Sequence, residues 1–270
     1  MDKTGQLKFI LPAATLLLIL LVWEFLVKIA NIPLYVLPAP SKVLVTLYSE
    51  LPTLWNHSIV TFTETVAGLL IAVALALILA ILMDAFGLFK SAIYPLLVAS
   101  QTIPVIVLAP LFIIYLGFGI APKILTVTLM CFFPIAVSFA DGMNQLDANQ
   151  VNLVRSFGAN RLQVYLLVKI PAAAPSLFSG LKVAATYSIT GAVVGEWLSS
   201  ESGLGYYLLR VKNGFMLDKV FACIIAIVLL SLMMNLFVKL LEYAVLPHMR
   251  RNPHRSDDLR RSSIQFIQKK

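Results

Sequence analysis

The sequence predicts an all-helical membrane protein of six spanning helices with one helical hairpin set between two of them, and three observations predict it. Of 270 residues, 60% are hydrophobic and only 13% are charged, against about 45–50% and about 25% in a soluble domain. Mean hydropathy is +0.90. Apolar runs of the length that crosses a bilayer, about 20 residues, recur at residues 9–29, 59–83, 92–116, 123–140, 176–198 and 220–241. Between the last two pairs lies one lengthy polar stretch, QVNLVRSFGANRLQVYLLVKIPAAAP (150–175), with helix starts and stops written into it. No internal repeat or soluble domain is evident, so residues 1–270 read as a single membrane domain with a loop over about 141–175 and a basic tail over about 243–270.

The first run follows Lys3 and Lys8, as the apolar core of a signal peptide would. It exceeds the usual ~7–15 residues of such a core and closes at Glu24 and Lys28 with no small-residue cleavage site, so it reads as a span. The second run carries Glu64 and Asp84 near its ends. Pro104, Pro110, Pro134, Gly191 and Gly195 interrupt the third, fourth and fifth. Such breaks survive in lipid where neighbouring helices or a cavity satisfy the freed backbone groups, which favours a packed bundle with an internal path. Cys131 and Cys223 lie within apolar runs, with no CxxC spacing and no histidine nearby, and read as free buried thiols with no metal role.

Lysine and arginine set the orientation. Six spans put both termini on one side, with Lys3, Lys8, Lys90, Arg155, Arg161, Lys169 and the tail cluster from Arg250 to Lys270. The other side holds Lys42, Lys123, Arg210, Lys212 and Lys219. The bias places both termini and the polar loop in the cytoplasm. The formal charge of +8 is thus a topology signal resting on anionic lipid, and nucleic acid is not an expected partner.

The polar loop reads as two short helices. Asp147 and Gln150 have capping-box spacing, so a helix begins at Ala148, and Gly158 supplies the left-handed residue that ends it. Asn160 and Gln163 repeat the cap, and Pro171 is expected to block continuation. Val151, Val154 and Phe157 form an apolar ridge beside Arg155 and Arg161.

These residues carry a resemblance. The loop resembles the coupling segment, often called the EAA loop, of the permease subunits of ABC importers that use a substrate-binding protein. Gly158, Val168, Ile170 and Pro171 fall in register with its Gly, aliphatic and Leu-Pro positions, and RSFGANR is similar to the usual RSLGASR. Asn152 stands where the family has Glu, and Leu153 and Val154 replace its two alanines. LPAPSKV (37–43), SQTIP (100–104), LAPLF (108–112), FFPIAV (132–137), SGLKVAATYSITGAVVGEW (179–197) and SGLGYYLL (202–209) are similar to the branch that includes nitrate, sulfonate, taurine and thiamine-precursor permeases. The segment around GEW resembles permeases for the hydroxymethylpyrimidine moiety of thiamine.

The resemblance implies a type I ABC importer permease fold in a bacterial cytoplasmic membrane. It implies a pore of two permease subunits, here two copies of this chain, with two cytoplasmic ATPases and an extracytoplasmic substrate-binding protein. ATP and Mg belong to the ATPase; this chain has no GxxxxGK[ST] sequence and is expected to bind no cofactor and catalyse nothing. Val151, Val154 and Phe157 would sit in a groove on the ATPase, with Asn152 at the family's Glu position and Arg155 and Arg161 at the rim. Gly158 would turn the hairpin and Pro171 stiffen its joint to the fifth span, so that ATPase movement tilts the bundle between two packings.

The solute path is read from intramembrane polarity. Glu196 either lines the path, since a carboxylate in the membrane is costly, or marks the outer interface. Trp197, Tyr206 and Tyr207 either stack on a heteroaromatic solute or are interfacial aromatics. Gly203 and Gly205 permit a close turn, an outer re-entrant segment that gates the pore or meets the binding protein. Gln101, Thr102 and Tyr187 either line the pore or bond helix to helix. An ion-coupled secondary carrier would need several intramembrane ionisable groups, and only Glu196 stands out. An intramembrane hydrolase is disfavoured because His57, His248 and His254 fall outside the predicted spans, with no HExxH or GxSxG.

Overall fold

Eleven α-helices and one π-helical turn make up residues 3–246, the part of the chain that the computed structural model describes. In order they are α1 Lys3–Ile29, α2 Pro40–Ser49, α3 Leu51–Ala85, α4 Gly87–Ser100, α5 Val105–Leu116, α6 Ile120–Asn144, α7 Ala148–Ser156, α8 Arg161–Val164, the π-turn Tyr165–Lys169, α9 Ile170–Ser199, α10 Leu204–Asn213 and α11 Leu217–Val245. The arginine-rich part of the tail, with His248 and His254, lies outside the described residues. Within them, five helices are long and apolar enough to cross a bilayer: 10–29 of α1, α3, α6, the run from Arg161 to Leu198, and α11.

The third predicted span is bent. Helices α4 and α5 meet at 102° across residues 101–104. Pro104 has no N–H to offer and drives Ile103 away from the helical region, so the chain turns there. At 1.5 Å per residue the 14 residues of α4 reach about 21 Å and the 12 of α5 about 18 Å, each short of the ~30 Å hydrocarbon core. The other expected interruptions are not breaks. Pro110 and Pro134 lie inside continuous α5 and α6, and Gly191 and Gly195 lie inside α9, where they let α6 approach.

Helices α3, α6 and α9 form the centre. Lipid gives no hydrophobic drive for helices to associate, so close backbone approach has to supply it. Helix α9 runs antiparallel to α6, with Gly180 against Pro134, Gly191 against Val127 and Gly195 against Lys123. A Cβ on Gly180 would stand 2.7 Å from the Pro134 carbonyl oxygen, closer than packed atoms allow. Helix α3 runs parallel to α6, its Gly68 against Val127, and also meets α9 through Thr61 and Glu196. It buries one stripe, Thr61, Thr65, Gly68, Ala72, Ala76 and Ala80, at the three-to-four spacing of a helical face. Leu70, Ile71, Leu75 and Ile78, outside that stripe, are exposed on the chain, suited to lipid or a partner. Helix α1 is peripheral, tied to α2 where the Ser41 N–H and hydroxyl donate to Glu24 at 3.0 and 2.7 Å.

Pro171 does not stop the hairpin's second helix. Helix α8, the π-turn and α9 are continuous from Arg161. The Ile170 N–H donates to the Tyr165 carbonyl five residues back, and this wider turn accommodates a ring that has no N–H for the ordinary four-residue bond.

Candidate functional site: a capped hairpin and a polar corner at opposite ends of α3

The hairpin end is built by local hydrogen bonds. The Asp147 carboxylate caps α7 by accepting from the Asn149 N–H at 2.9 Å, while Gln150 adds only its backbone N–H to the Asp147 carbonyl at 3.0 Å. Helix α8 has the full reciprocal box: the Gln163 N–H donates to Asn160 at 2.9 Å and the Asn160 N–H to Gln163 at 2.8 Å. Gly158 joins the two at φ +87°, a backbone region that favours glycine.

The apolar face of the hairpin differs from the predicted ridge. Phe157 is 82% exposed, but Val151 and Val154 are half-buried. At about 100° per residue, Phe157 lies about 240° around the helix from Val151 but only about 40° from Leu153. Leu153, Phe157 and Leu162 are the uncovered apolar side chains, with Asn152, Arg155 and Arg161 exposed around them. At the hairpin's base, Asp84 in the last turn of α3 accepts from the Tyr165 hydroxyl and from Lys169 Nζ, both at 2.5 Å. The Lys169 ammonium also lies 5.0 Å from the centre of the Tyr165 ring.

The opposite end holds a polar corner between α9 and α10. A helix N-terminus leaves its first N–H groups without intrahelical partners, and here side chains take three in succession. The Gly203 N–H donates to His57 Nδ1 at 3.0 Å, the Leu204 N–H to Thr61 Oγ1 at 2.8 Å, and the Gly205 N–H to Glu196 Oε2 at 2.5 Å. The Thr61 hydroxyl in turn donates to Glu196 Oε1 at 2.6 Å. Gly203 sits at φ +107°, and a Cβ there would overlap the Glu196 carboxyl. Beside them Lys123 Nζ pairs with Glu64 at 2.5 Å and donates to Ser200 Oγ at 3.0 Å. Glu64 is buried in the same corner, and its second carboxylate oxygen has no hydrogen-bond partner among the described residues. An open cleft of about 540 Å³ borders the corner, lined by Phe118, Ile120, Lys123, Leu198, Ser200 and Glu201 among others.

Three placements differ from the sequence reading. Glu196 is only 1% exposed and is not at a wet interface. Lys123, expected as a topology charge on one face, is buried in an ion pair, and His57 lies inside α3. Glu64, Lys123, Thr61 and His57 were not singled out as site residues. The signal for Glu64 and Thr61 was the small and polar stripe of α3, since an otherwise oily helix carries such residues on its packed face. Among the expected path residues, Gln101 and Thr102 are exposed at the α4–α5 bend, and Tyr187 and Trp197 are exposed on α9. Tyr207 is buried, its hydroxyl donating to Glu50 at 3.1 Å. Lys219 pairs with the same carboxylate at 2.6 Å. The Lys219 contact, aided by Tyr207, holds the Glu50 carboxyl below its ordinary range. Both thiols are buried and donate to carbonyls, Cys131 to Ala184 and Cys223 to Leu204.

Known proteins share this architecture. The MetNI methionine ABC transporter in an inward-facing conformation superposes with a TM-score of 0.53 at 17% identity, covering 74% of this chain and 97% of that one. The formylaminopyrimidine transport permease protein ThiX of Halalkalibacterium halodurans is 34% identical over 87% of this chain and 94% of its own length. A probable ABC transporter permease protein of Haemophilus influenzae is 33% identical over 84% and 93%. Other relatives are named for riboflavin, aliphatic sulfonate and taurine transport. Residues 72–250 match the family described as the binding-protein-dependent transport system inner membrane component, and the chain belongs to that family, the multi-pass inner-membrane permease subunits of ABC importers.

Proposed function

We propose that this permease carries a pyrimidine precursor of thiamine, that it works as a homodimer, and that its hairpin docks on the ATPase. The hairpin geometry carries the docking reading: Leu153, Phe157 and Leu162 are uncovered on a rigid, doubly capped turn. Fully burying such side chains contributes about 1.5–3 kcal/mol each. Arg155 and Arg161 supply the rim, and Asn152 removes the acidic contact the family usually makes there. Val151 and Val154 support the hairpin from within, Gly158 turns it, and Pro171 shapes the π-turn at its base. ATP and Mg act on the ATPase. The lysine and arginine bias supports a cytoplasmic hairpin and cytoplasmic termini, which leaves the polar corner facing the binding protein. Gly203 and Gly205 then belong to the outer gate, and Glu196 holds that gate from behind. Gln101, Thr102, Tyr187 and Trp197 are the groups offered to the solute path.

The similarity to a formylaminopyrimidine permease over nearly the whole of both chains supports the pyrimidine. A second reading keeps the machinery and changes the solute to a sulfonate, taurine or nitrate; relatives named for the first two support it. A carrier driven by an ion gradient is the alternative class. A pull-down of the tagged chain in mild detergent separates them. An ATPase recovered at equal stoichiometry and lost on Phe157→Asp supports the docking. Uptake by the reconstituted importer is then measured with radiolabelled formylaminopyrimidine and with taurine. Recovery of the chain alone, with gradient-driven uptake intact, refutes the proposal.

A further inference from the structure

Helix α3 is bonded at both ends to segments that lie far apart in the chain. At its hairpin end, Asp84 holds Tyr165 and Lys169, the first and last residues of the π-turn between the hairpin and α9. At its other end, His57 and Thr61 hold the N–H groups of Gly203 and Leu204, and Glu64 pairs with Lys123, which reaches Ser200. From Thr61 to Asp84 the helix is unbroken, about 34 Å at 1.5 Å per residue. The π-turn is a single wide turn, the kind of local departure found at functional sites, and it is where a pull from the hairpin can be divided.

We infer that α3 is a connecting rod. Through Asp84 it takes displacement of the hairpin base, and through His57 and Thr61 it delivers that displacement to the 200–205 segment and α10. Helix α9 alone gives a path from hairpin to Glu196, which holds the Gly205 N–H; α3 is a second path, holding the adjacent Gly203 and Leu204 N–H groups. Asp84 is therefore a positioning residue for transport, acting where neither ATP nor solute touches it. The inference rests on the hairpin being the ATPase docking element.

The test uses the whole importer, permease with its ATPase and binding protein, in nanodiscs. Both native thiols are fully buried, so a Glu201→Cys substitution, at the exposed position of the 200–205 segment, gives one reactive reporter. In the parent, its labelling rate by a charged maleimide is expected to change on trapping with ATP and vanadate by at least about fivefold, the low end of ordinary site-to-site coupling. Asp84→Asn is expected to keep the ATPase at equal stoichiometry and its basal hydrolysis, while the labelling change collapses and stimulation by the loaded binding protein is lost. An undiminished labelling change in Asp84→Asn, or a parent rate indifferent to nucleotide, overturns the inference. If Asp84→Asn does not accumulate, Tyr165→Phe removes one of the two bonds with little change in volume. It must then show a reduced labelling change, and an unaltered one overturns the inference equally. Retention of the ATPase by Phe157→Asp refutes the docking reading itself, whatever Asp84→Asn does.

Discussion

Replacing Thr61 by valine removes one hydroxyl and almost no volume, so the polar corner can be weighed without opening a cavity. Thr61 is fully buried, donates to Glu196 at 2.6 Å and accepts from the Leu204 N–H at 2.8 Å. Valine leaves that N–H unpaired, and Glu196 keeps only the Gly205 bond on its other oxygen. A buried donor or acceptor without a partner costs about 1–3 kcal/mol, so the pair sums to about 2–6 kcal/mol, with about 3 as a working figure. At roughly 2–4 °C per kcal/mol for a chain of this size, Tm should fall by about 6–12 °C. A thiol-reactive dye reports it, because Cys131 and Cys223 are both buried and label only as the bundle opens. Thr63→Val is the control: the same chemistry two residues along, on the exposed face, with its hydroxyl bonded only to the Val60 carbonyl. A Tm for Thr61→Val within about 2 °C of the parent, the ordinary span of a surface change of about 0.5 kcal/mol, would refute the claim that these bonds hold α10 in place.

Thr65→Val should move the other way: its buried hydroxyl makes no hydrogen bond among the described residues, and an apolar group of like shape should raise Tm by a few degrees, or about 1 kcal/mol. Gly203→Ala should prevent α10 from seating, since its φ of +107° with ψ of 164° is essentially reserved for glycine and the new methyl meets Glu196. Gly214→Ala, at φ −83° with nothing closer than 3.5 Å, should leave Tm unchanged. Glu50 gives a pH dependence. Its carboxyl is held down in the fold by Lys219 and Tyr207, so its contribution is present above the ordinary value of 4.5 and is lost as pH falls below it. Parent Tm should therefore drop on acidification from that point, and Glu50→Gln should flatten that limb; identical acid profiles would count against the Glu50 anchor.

The spans were legible because a bilayer imposes length and composition directly, and the hairpin because caps are local: Asp147, Asn160 with Gln163, and Gly158 each act within four residues. What local rules could not supply was rotation and continuity. Three-residue spacing suggested a ridge through Val151, Val154 and Phe157, yet the helical angle groups Phe157 with Leu153. Pro104, Pro110 and Pro134 look alike in sequence, but only Pro104 lies at a break between helices. Pro171 lies within a continuous helix because an adjoining wide turn accommodates it.

The polar corner was the least legible part, and for a physical reason. Glu64 and Lys123 are 59 residues apart, and each alone reads as a charge near a span end. Brought together they become a buried pair, whose value lies less in net stability than in fixing one arrangement against its alternatives. Helix α3 is apolar on its exposed face, so apolarity alone leaves its rotation and its axial position weakly set. Its middle presents Gly68, Ala72, Ala76 and Ala80, small side chains that allow close approach and offer little to resist sliding. Register must then come from the ends, where Asp84 grips the hairpin base and Thr61, Glu64 and His57 grip the corner. A helix smooth in the middle and bonded at both ends moves as one piece, so what the hairpin does to one end has to appear at the other.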